Sequence, residues 1–144
     1  MTDTRTWVYW ALFSAIFASL TAIFAKVGMR SIDSDLATLI RTMVIIVFLA
    51  AIVLLSKKWV NPLSLNKKSL FFLLLSGLAT GASWLCYFRA LKLGQASKVA
   101  PVDKLSLVLV AIFAVVFLGE RPSLREWMGI ALVATGVIIL GFKK

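Results

Sequence analysis

Residues 36–56 read LATLIRTMVIIVFLAAIVLLS, and this stretch decides the fold. It is almost entirely apolar, and Arg41 is its only charged residue. A helix needs about 20 mainly apolar residues to cross a bilayer, because the hydrocarbon core is roughly 30 Å thick and each residue rises ~1.5 Å. The stretch meets that length, so it predicts a transmembrane helix.

Similar stretches fill most of the chain. It has 144 residues, of which 61% are hydrophobic, whereas a soluble domain is usually about 45–50% apolar. The predicted spans are residues 7–27, 36–56, 69–91, 99–118 and 124–142. We therefore expect an all-α integral membrane protein, a bundle of about five transmembrane helices that forms one domain over residues 1–144. Such a chain is a multi-pass protein of the cell (inner or plasma) membrane, and its first span is expected to be retained rather than cleaved.

The net charge of +10 does not indicate nucleic-acid binding. Paired lysines stand at the ends of apolar runs, where they hold helix ends at the lipid headgroups: Lys57 and Lys58, Lys67 and Lys68, Lys143 and Lys144. The chain has no histidine and a single cysteine, Cys86, so the sequence predicts no metal site, no cofactor and no catalytic centre.

The alternating helices sort the connections onto two sides of the membrane. Side A holds the N-terminus and residues 57–68 and 119–125, and side B holds residues 28–35 and 92–98 and the C-terminus. Seven Lys or Arg residues flank the spans on side A and five on side B. The positive-inside rule therefore favours side A in the cytoplasm only weakly, and this near balance permits insertion in both orientations.

Ionisable residues inside the spans are the strongest functional signal. Each costs about 2.5–3.5 kcal/mol at the bilayer centre, so each is a candidate functional residue. Five of them belong to the side B half of their helices: Lys26, Arg41, Arg89, Asp103 and Lys104. We expect a shared polar pocket with an excess of positive charge, which attracts an anion or the carboxylate of a zwitterion.

The roles expected of these residues differ. Arg41, about 8 Å into its helix at ~1.5 Å per residue, and Lys104 are predicted to bind substrate. Asp103 is predicted to hold them or to relay protons, although a purely structural ion pair is an alternative. Lys26 is also predicted to bind substrate, because it is expected to face the bundle, and extension to the interface is its alternative. For Arg89, extension to the interface is the better interpretation.

One face of the third span carries hydroxyl groups. Ser76, Thr80, Ser83 and Tyr87 follow each other at spacings of three and four residues. They either bond to neighbouring helices or form the wall of a hydrated cavity, which Trp84 would border with aromatic surface. We predict that Ser83, Trp84 and Tyr87 line the substrate path.

Small residues suit close helix packing. Gly77 and Gly81 form a GxxxG motif, and Gly129 and Gly136 stand seven residues apart in the last span. Packing within one bundle explains both pairs. A dimer seam along the last span is the alternative.

The chain resembles the EamA-type repeat of the drug/metabolite transporter superfamily. The resemblance rests on GLATGASW in 77–84, YFRAL in 87–91, ASKVAPVDKLS in 96–106 and FLGERP in 117–122, and it extends over essentially the whole chain. Typical members carry two such five-helix repeats in inverted orientation with the substrate site between them. This chain has one repeat, so the resemblance implies a homodimer, which the near-balanced charge count permits to be antiparallel.

Three functions remain open. The leading hypothesis is a secondary active transporter that moves a small polar, possibly anionic metabolite by alternating access. The second is a proton-coupled exporter of cationic compounds, for which only Asp103 could supply the embedded acid. The third is a non-transporting accessory membrane subunit. The resemblance supplies no universal substrate motif, so the site residues rest on the physical argument above.

Overall fold

The computed structural model describes residues 6–141, and every regular element in that range is helical. The helices are α1 (Thr6–Gly28), α2 (Ser34–Leu55), α3 (Lys67–Leu93), α4 (Ala96–Asp103), α5 (Ser106–Phe113) and α6 (Leu124–Gly141). A 3₁₀ turn at Pro62–Ser64 precedes α3, and a π-helical turn at Ala114–Leu118 follows α5.

Five helical spans within residues 6–141 are long and apolar enough to cross a membrane. They are α1, α2, α3, the composite span Ala96–Leu118 and α6. This confirms the predicted fold class. Arg5, the predicted end of the last helix at residue 142 and the Lys143–Lys144 pair lie outside the described residues.

The start of α2 is fixed by a capping carboxylate. Asp33 has extended backbone angles, and its Oδ1 accepts hydrogen bonds from the amides of Asp35 at 2.8 Å and Leu36 at 3.3 Å. These bonds satisfy amides that have no partner inside the helix. The helix therefore begins at Ser34, two residues before the apolar run, and includes Asp35 in its first turn.

The fourth span is interrupted where the sequence places a proline. Pro101 has no amide hydrogen, so it cannot donate the bond that would continue the helix. Two residues later α4 ends, and the amides of Lys104 and Leu105 reach back only three residues, to the carbonyls of Pro101 at 2.9 Å and Val102 at 3.0 Å. The span resumes at Ser106, so the interruption lies directly beside Asp103 and Lys104.

The chain divides into two compact units, Met1–Lys92 and Leu93–Lys144. In the first unit, the buried residues gather where α1 ends, α2 begins and α3 ends: Ala22, Ala25, Met29, Ser34, Ala37, Thr38, Phe88 and Leu91. Among residues 93–141 of the second unit, the buried side chains are Ala114 and Val137. The packed end of the first unit is the side B end, where the sequence places most of its embedded charges.

Outside that packed end the helices expose apolar side chains. At most 11% of the most apolar window of any described span is buried. Val47, Leu78 and Leu132 are each at least 70% exposed. Apolar surface of this extent on a single chain is covered by lipid or by other helices.

Candidate functional site

The polar groups of the first unit concentrate at its side B end. There the C-terminal turn of α1, the first turns of α2 and the last turns of α3 meet. Four residues tie these elements together, and we call them the polar clasp: Lys26, Asp35, Arg89 and Lys92. Arg41 lies one to two turns further along α2 than Asp35.

Arg89 and Asp35 form a two-point ion pair between α3 and α2. The Arg89 Nε donates to Asp35 Oδ1 at 2.9 Å, and its Nη2 donates to Asp35 Oδ2. Arg89 therefore meets a carboxylate near the end of its helix, and its extension to the lipid headgroups stays a prediction. Sequence reasoning missed Asp35 because it was assigned to a loop. The available signal was its position just after the capping Asp33.

Lys26 and Lys92 bind backbone carbonyl groups. The Lys26 ammonium donates to the carbonyl of Leu91 and, at 3.4 Å, to that of Lys92, in the last turn of α3. The Lys92 ammonium donates to the carbonyl of Ile32 in the connection before α2, at 2.8 Å. Helix C-termini carry partial negative charge and unpaired carbonyls, so cations are favourable there. In this arrangement both lysines hold helix ends in place.

Arg41 has a different environment. Its guanidinium carbon lies 4.0 Å from the centre of the Phe88 ring, and Phe88 is only 2% exposed. The Tyr87 ring meets the same Phe88 ring edge to face, with the two ring centroids 5.2 Å apart. Stacking on an aromatic face attracts a cation and fixes its plane. The structure thus brings Arg41 and Tyr87, two of the predicted site residues, together.

One nitrogen of Arg41 is left without a partner. Its Nη1 is buried, and no group within residues 6–141 accepts a hydrogen bond from it. A buried donor without an acceptor costs about 1–3 kcal/mol. Lys26, Arg89 and Lys92 have acceptors nearby, and Arg30 is exposed to solvent, so among residues 6–141 Arg41 is the cation of this end with a buried nitrogen that lacks an acceptor.

A cavity of about 300 Å³ lies beside Arg41, between α1 and α2. Its walls include Phe24, Gly28, Met29, Ala37 and Ile40, and every other lining residue except Arg41 is also nonpolar. Ligand sites generally occupy 300–1,000 Å³ and combine apolar walls with a few polar groups. The cavity has this composition at the lower end of that size range.

In the second unit, Asp103 and Lys104 form a local ion pair. The Lys104 Nζ lies 3.4 Å from Asp103 Oδ2, and the two side chains are 60% and 36% exposed respectively. Both stand at the interruption of the fourth span, where Lys104 follows the last residue of α4. A carboxylate here pairs with a cation, as the sequence predicts, and the roles of both residues in substrate binding stay predictions.

One hydroxyl group on the hydroxyl face of α3 forms a hydrogen bond within the helix itself. The Thr80 hydroxyl donates to the carbonyl of Ser76 at 2.9 Å. Ser83 is exposed, while Trp84 and Tyr87 are half-buried. Ser83 and Trp84 remain predicted lining residues. Within residues 6–141 no three His, Cys, Asp or Glu side chains form a group that could hold a metal ion.

Comparison with known proteins gives a consistent result. The model of the EamA-like transporter family matches residues 5–142. An uncharacterized transporter encoded in the cobO 3′ region of Sinorhizobium sp. is 58% identical over 137 residues, which are 95% of this chain and 97% of that protein. An uncharacterized protein of Methanocaldococcus jannaschii is 27% identical over 92% of this chain and 94% of its own length.

A more distant relative has a more specific name. The probable 4-amino-4-deoxy-L-arabinose-phosphoundecaprenol flippase subunit ArnE of Yersinia pestis is 28% identical over 74 residues, which are 51% of this chain and 65% of that protein. No solved structure matches the chain.

Proposed function

The chain belongs to the EamA-like transporter family, and on that premise we propose that it is a secondary active transporter that moves a small, polar, anionic metabolite across the membrane as a homodimer. The observation that carries this proposal is Arg41, whose buried Nη1 has no acceptor within residues 6–141 and whose side chain lines a cavity. A cation held in a span at an energetic cost is a reason to expect an anionic ligand. No catalytic activity is proposed for the chain.

Two observations support the homodimer. The EamA-type fold that the chain resembles uses two five-helix repeats, and this chain supplies one. Its spans also leave most of their apolar surface uncovered, which a second copy would partly bury. An antiparallel pair recreates the inverted symmetry of two-repeat transporters, and the nearly balanced distribution of Lys and Arg is compatible with it.

In this proposal the charged residues have different roles. Arg41 binds the anionic group of the substrate, with Tyr87 beside it. The polar clasp positions the ends of α1, α2 and α3 around that group, so we assign Lys26 a positioning role rather than direct contact. Lys104 adds positive charge at the interrupted span, where Asp103 holds it. Ser83 and Trp84 line the path along α3.

Uptake into proteoliposomes tests the proposal. The full chain is reconstituted and offered radiolabelled glutamate, pyruvate, glucose and tetraphenylphosphonium. We expect uptake of at least one of the anions and a fall of about tenfold or more for Arg41→Gln, because hydrogen bonds to charged groups contribute about 1.5–3 kcal/mol.

The matched control is Arg30→Gln, which removes an exposed charge at the same end of the first unit and is expected to leave uptake within about twofold. If Arg41→Gln and Asp103→Asn both leave uptake intact, the site assignment is wrong. Uptake of tetraphenylphosphonium alone supports instead the exporter of cationic compounds, although the acid that this reading requires, Asp103, is paired with Lys104.

The ArnE similarity favours a second candidate, a subunit of a flippase for lipid-linked cargo. It corresponds to the accessory-subunit hypothesis, since ArnE is by name a subunit. This candidate predicts that the purified chain transports none of the four compounds by itself. It also predicts that cysteines placed at positions 83 and 87 do not react with a water-soluble maleimide, because the bundle has no hydrated path.

A further inference from the structure

The cavity between α1 and α2 differs from a site for a fully polar solute. Apart from Arg41, all of its lining residues are nonpolar, and they include Phe24, Met29 and Ile40. A polar group placed against such walls loses its hydrogen bonds to water without replacement, which is unfavourable. The part of a ligand that fills this cavity is therefore apolar.

Arg41 specifies the other part of the ligand. A guanidinium is a planar fork that matches a carboxylate or a phosphate, and stacking on Phe88 holds its plane in place. The nearest acid on α2, Asp35, is bound at two points by Arg89 and does not neutralise Arg41. The two other cations of the polar clasp, Lys26 and Lys92, bind carbonyls. Among the described residues that line this cavity, Arg41 is the cation, and its Nη1 has no acceptor within residues 6–141, which suits one anionic head.

We propose that this site binds an amphiphilic anion: its carboxylate or phosphate head pairs with Arg41, and its compact apolar part fills the cavity between α1 and α2. At the ~30 Å³ that a water molecule occupies in the liquid, about 300 Å³ accommodates roughly ten heavy atoms. This inference rests on the proposed function in one respect, that the ligand is the transported species. It narrows the substrate class from polar anions to anions with an apolar part.

Gly28 provides a way to test the cavity separately from the charge. It lines the cavity, and a Cβ added at this position meets no atom within 4 Å. A leucine at this position is thus expected to project into the cavity without displacing a packed neighbour. Gly77 on α3 also has open space around an added Cβ but does not line the cavity, so Gly77→Leu is the matched control.

The experiment measures binding by calorimetry, with the full chain in nanodiscs of zwitterionic lipid and empty nanodiscs as background. The probes are hexanoate, acetate, which has the same head without the chain, and hexanol, which has a similar chain without the charge. Hexanoate is expected to bind at least tenfold more tightly than acetate, because burial of two methylene groups alone is worth about tenfold. It is expected to bind at least tenfold more tightly than hexanol, because hexanol lacks the charge that pairs with Arg41. Phenyl phosphate compared with inorganic phosphate repeats the test with the other head group.

Two variants locate the binding. Arg41→Gln and Gly28→Leu are each expected to weaken hexanoate binding at least tenfold, whereas Arg30→Gln and Gly77→Leu stay within twofold. Helicity measured by circular dichroism identifies a variant that fails to fold. In that case the remaining variant and the comparison of the probes test the proposal. Equal binding of hexanoate and acetate, or an unaltered affinity in Gly28→Leu, would overturn the proposal.

A further arm identifies the source of the ligand. Dihexadecyl phosphate added to the nanodiscs displaces hexanoate when the site admits a lipid from the bilayer, and leaves it bound when the ligand comes from water. Both results support an amphiphilic anion. Binding without uptake in proteoliposomes preserves this inference and contradicts the transporter. Uptake that depends on Arg41 but shows no preference for solutes with an apolar part supports the transporter and contradicts this inference.

Discussion

At the scale of single residues, charged side chains near one membrane face differ in how completely the chain satisfies them. Arg89 donates to a carboxylate, and Lys26 and Lys92 donate to backbone carbonyls. The buried Nη1 of Arg41 has no acceptor among the described residues. Because a charge inside a membrane span is costly, the sequence predicted a functional role for Arg41. The partner of Arg89 could not be predicted, because Asp35 lies 54 residues away along the chain and meets it only through the packing of α2 on α3.

The Arg89–Asp35 pair gives a prediction at this scale. We expect Asp35→Asn and Arg89→Gln each to lower the unfolding temperature in detergent slightly, because each removes a two-point ion pair that is partly exposed. The double variant is expected to be no less stable than either single variant, since the two losses are shared. Thermal unfolding of all four proteins measures this. Strictly additive losses would contradict a direct interaction.

At the scale of helices, local chemistry explains most boundaries. Asp33 begins α2, and Pro101 interrupts the fourth span; both could be anticipated from residue type. The π-helical turn at Ala114–Leu118 could not, because its residues differ little from those of any apolar helix. The chain leaves that turn through Gly119, whose φ of +68° lies in the left-handed region.

A comparison of two glycines tests the conformation at the end of the fourth span: Gly119 follows that span, and Gly136 lies inside α6. Gly119→Ala is expected to destabilise the protein by about 1–2 kcal/mol, because a Cβ is unfavourable in the left-handed region. Gly136→Ala is expected to stabilise by about 0.5–1 kcal/mol, because Gly136 lies inside α6 with open space around it. Reversible unfolding in mixed detergent measures both. Equal effects of the two changes would show that conformation at residue 119 is unimportant.

Lys26 supports a further prediction about α3. Removing its ammonium in Lys26→Met leaves the last carbonyls of α3 without a cation, which typically costs 0.3–1 kcal/mol and up to about 2 kcal/mol when partly buried. We expect amides of the final turn of α3 to exchange with deuterium several-fold faster. Lys68→Met, at the opposite end of α3, is the control and should leave exchange in that turn unchanged.

At the scale of the whole molecule, hydropathy decides the fold class and leaves the assembly open. Span length and composition predicted five helices because a bilayer imposes both. The cavity beside Arg41 was beyond sequence reasoning, since it depends on small residues of α1 and α2 that face each other only in the folded chain. Sequence likewise carries too little charge asymmetry to select one orientation.

The homodimer proposal makes the corresponding prediction. Native mass spectrometry of the purified chain is expected to show a mass of two 15.8 kDa copies. Reporters fused to the C-terminus are expected to give comparable signals on both sides of the membrane, as an antiparallel pair requires. A dimer with reporters on a single side would retain the homodimer and contradict the antiparallel arrangement.

The choice of arginine at position 41 has a consequence for energy coupling. A guanidinium keeps its proton at every pH that a cell experiences, so acidification on one side of the bilayer does not discharge this group. Any proton that accompanies the cargo is therefore carried elsewhere, either on a carboxylate of the protein or on the acid function of the cargo itself. A weakly acidic passenger could then enter paired with Arg41 as the anion and depart, once protonated, as a neutral molecule.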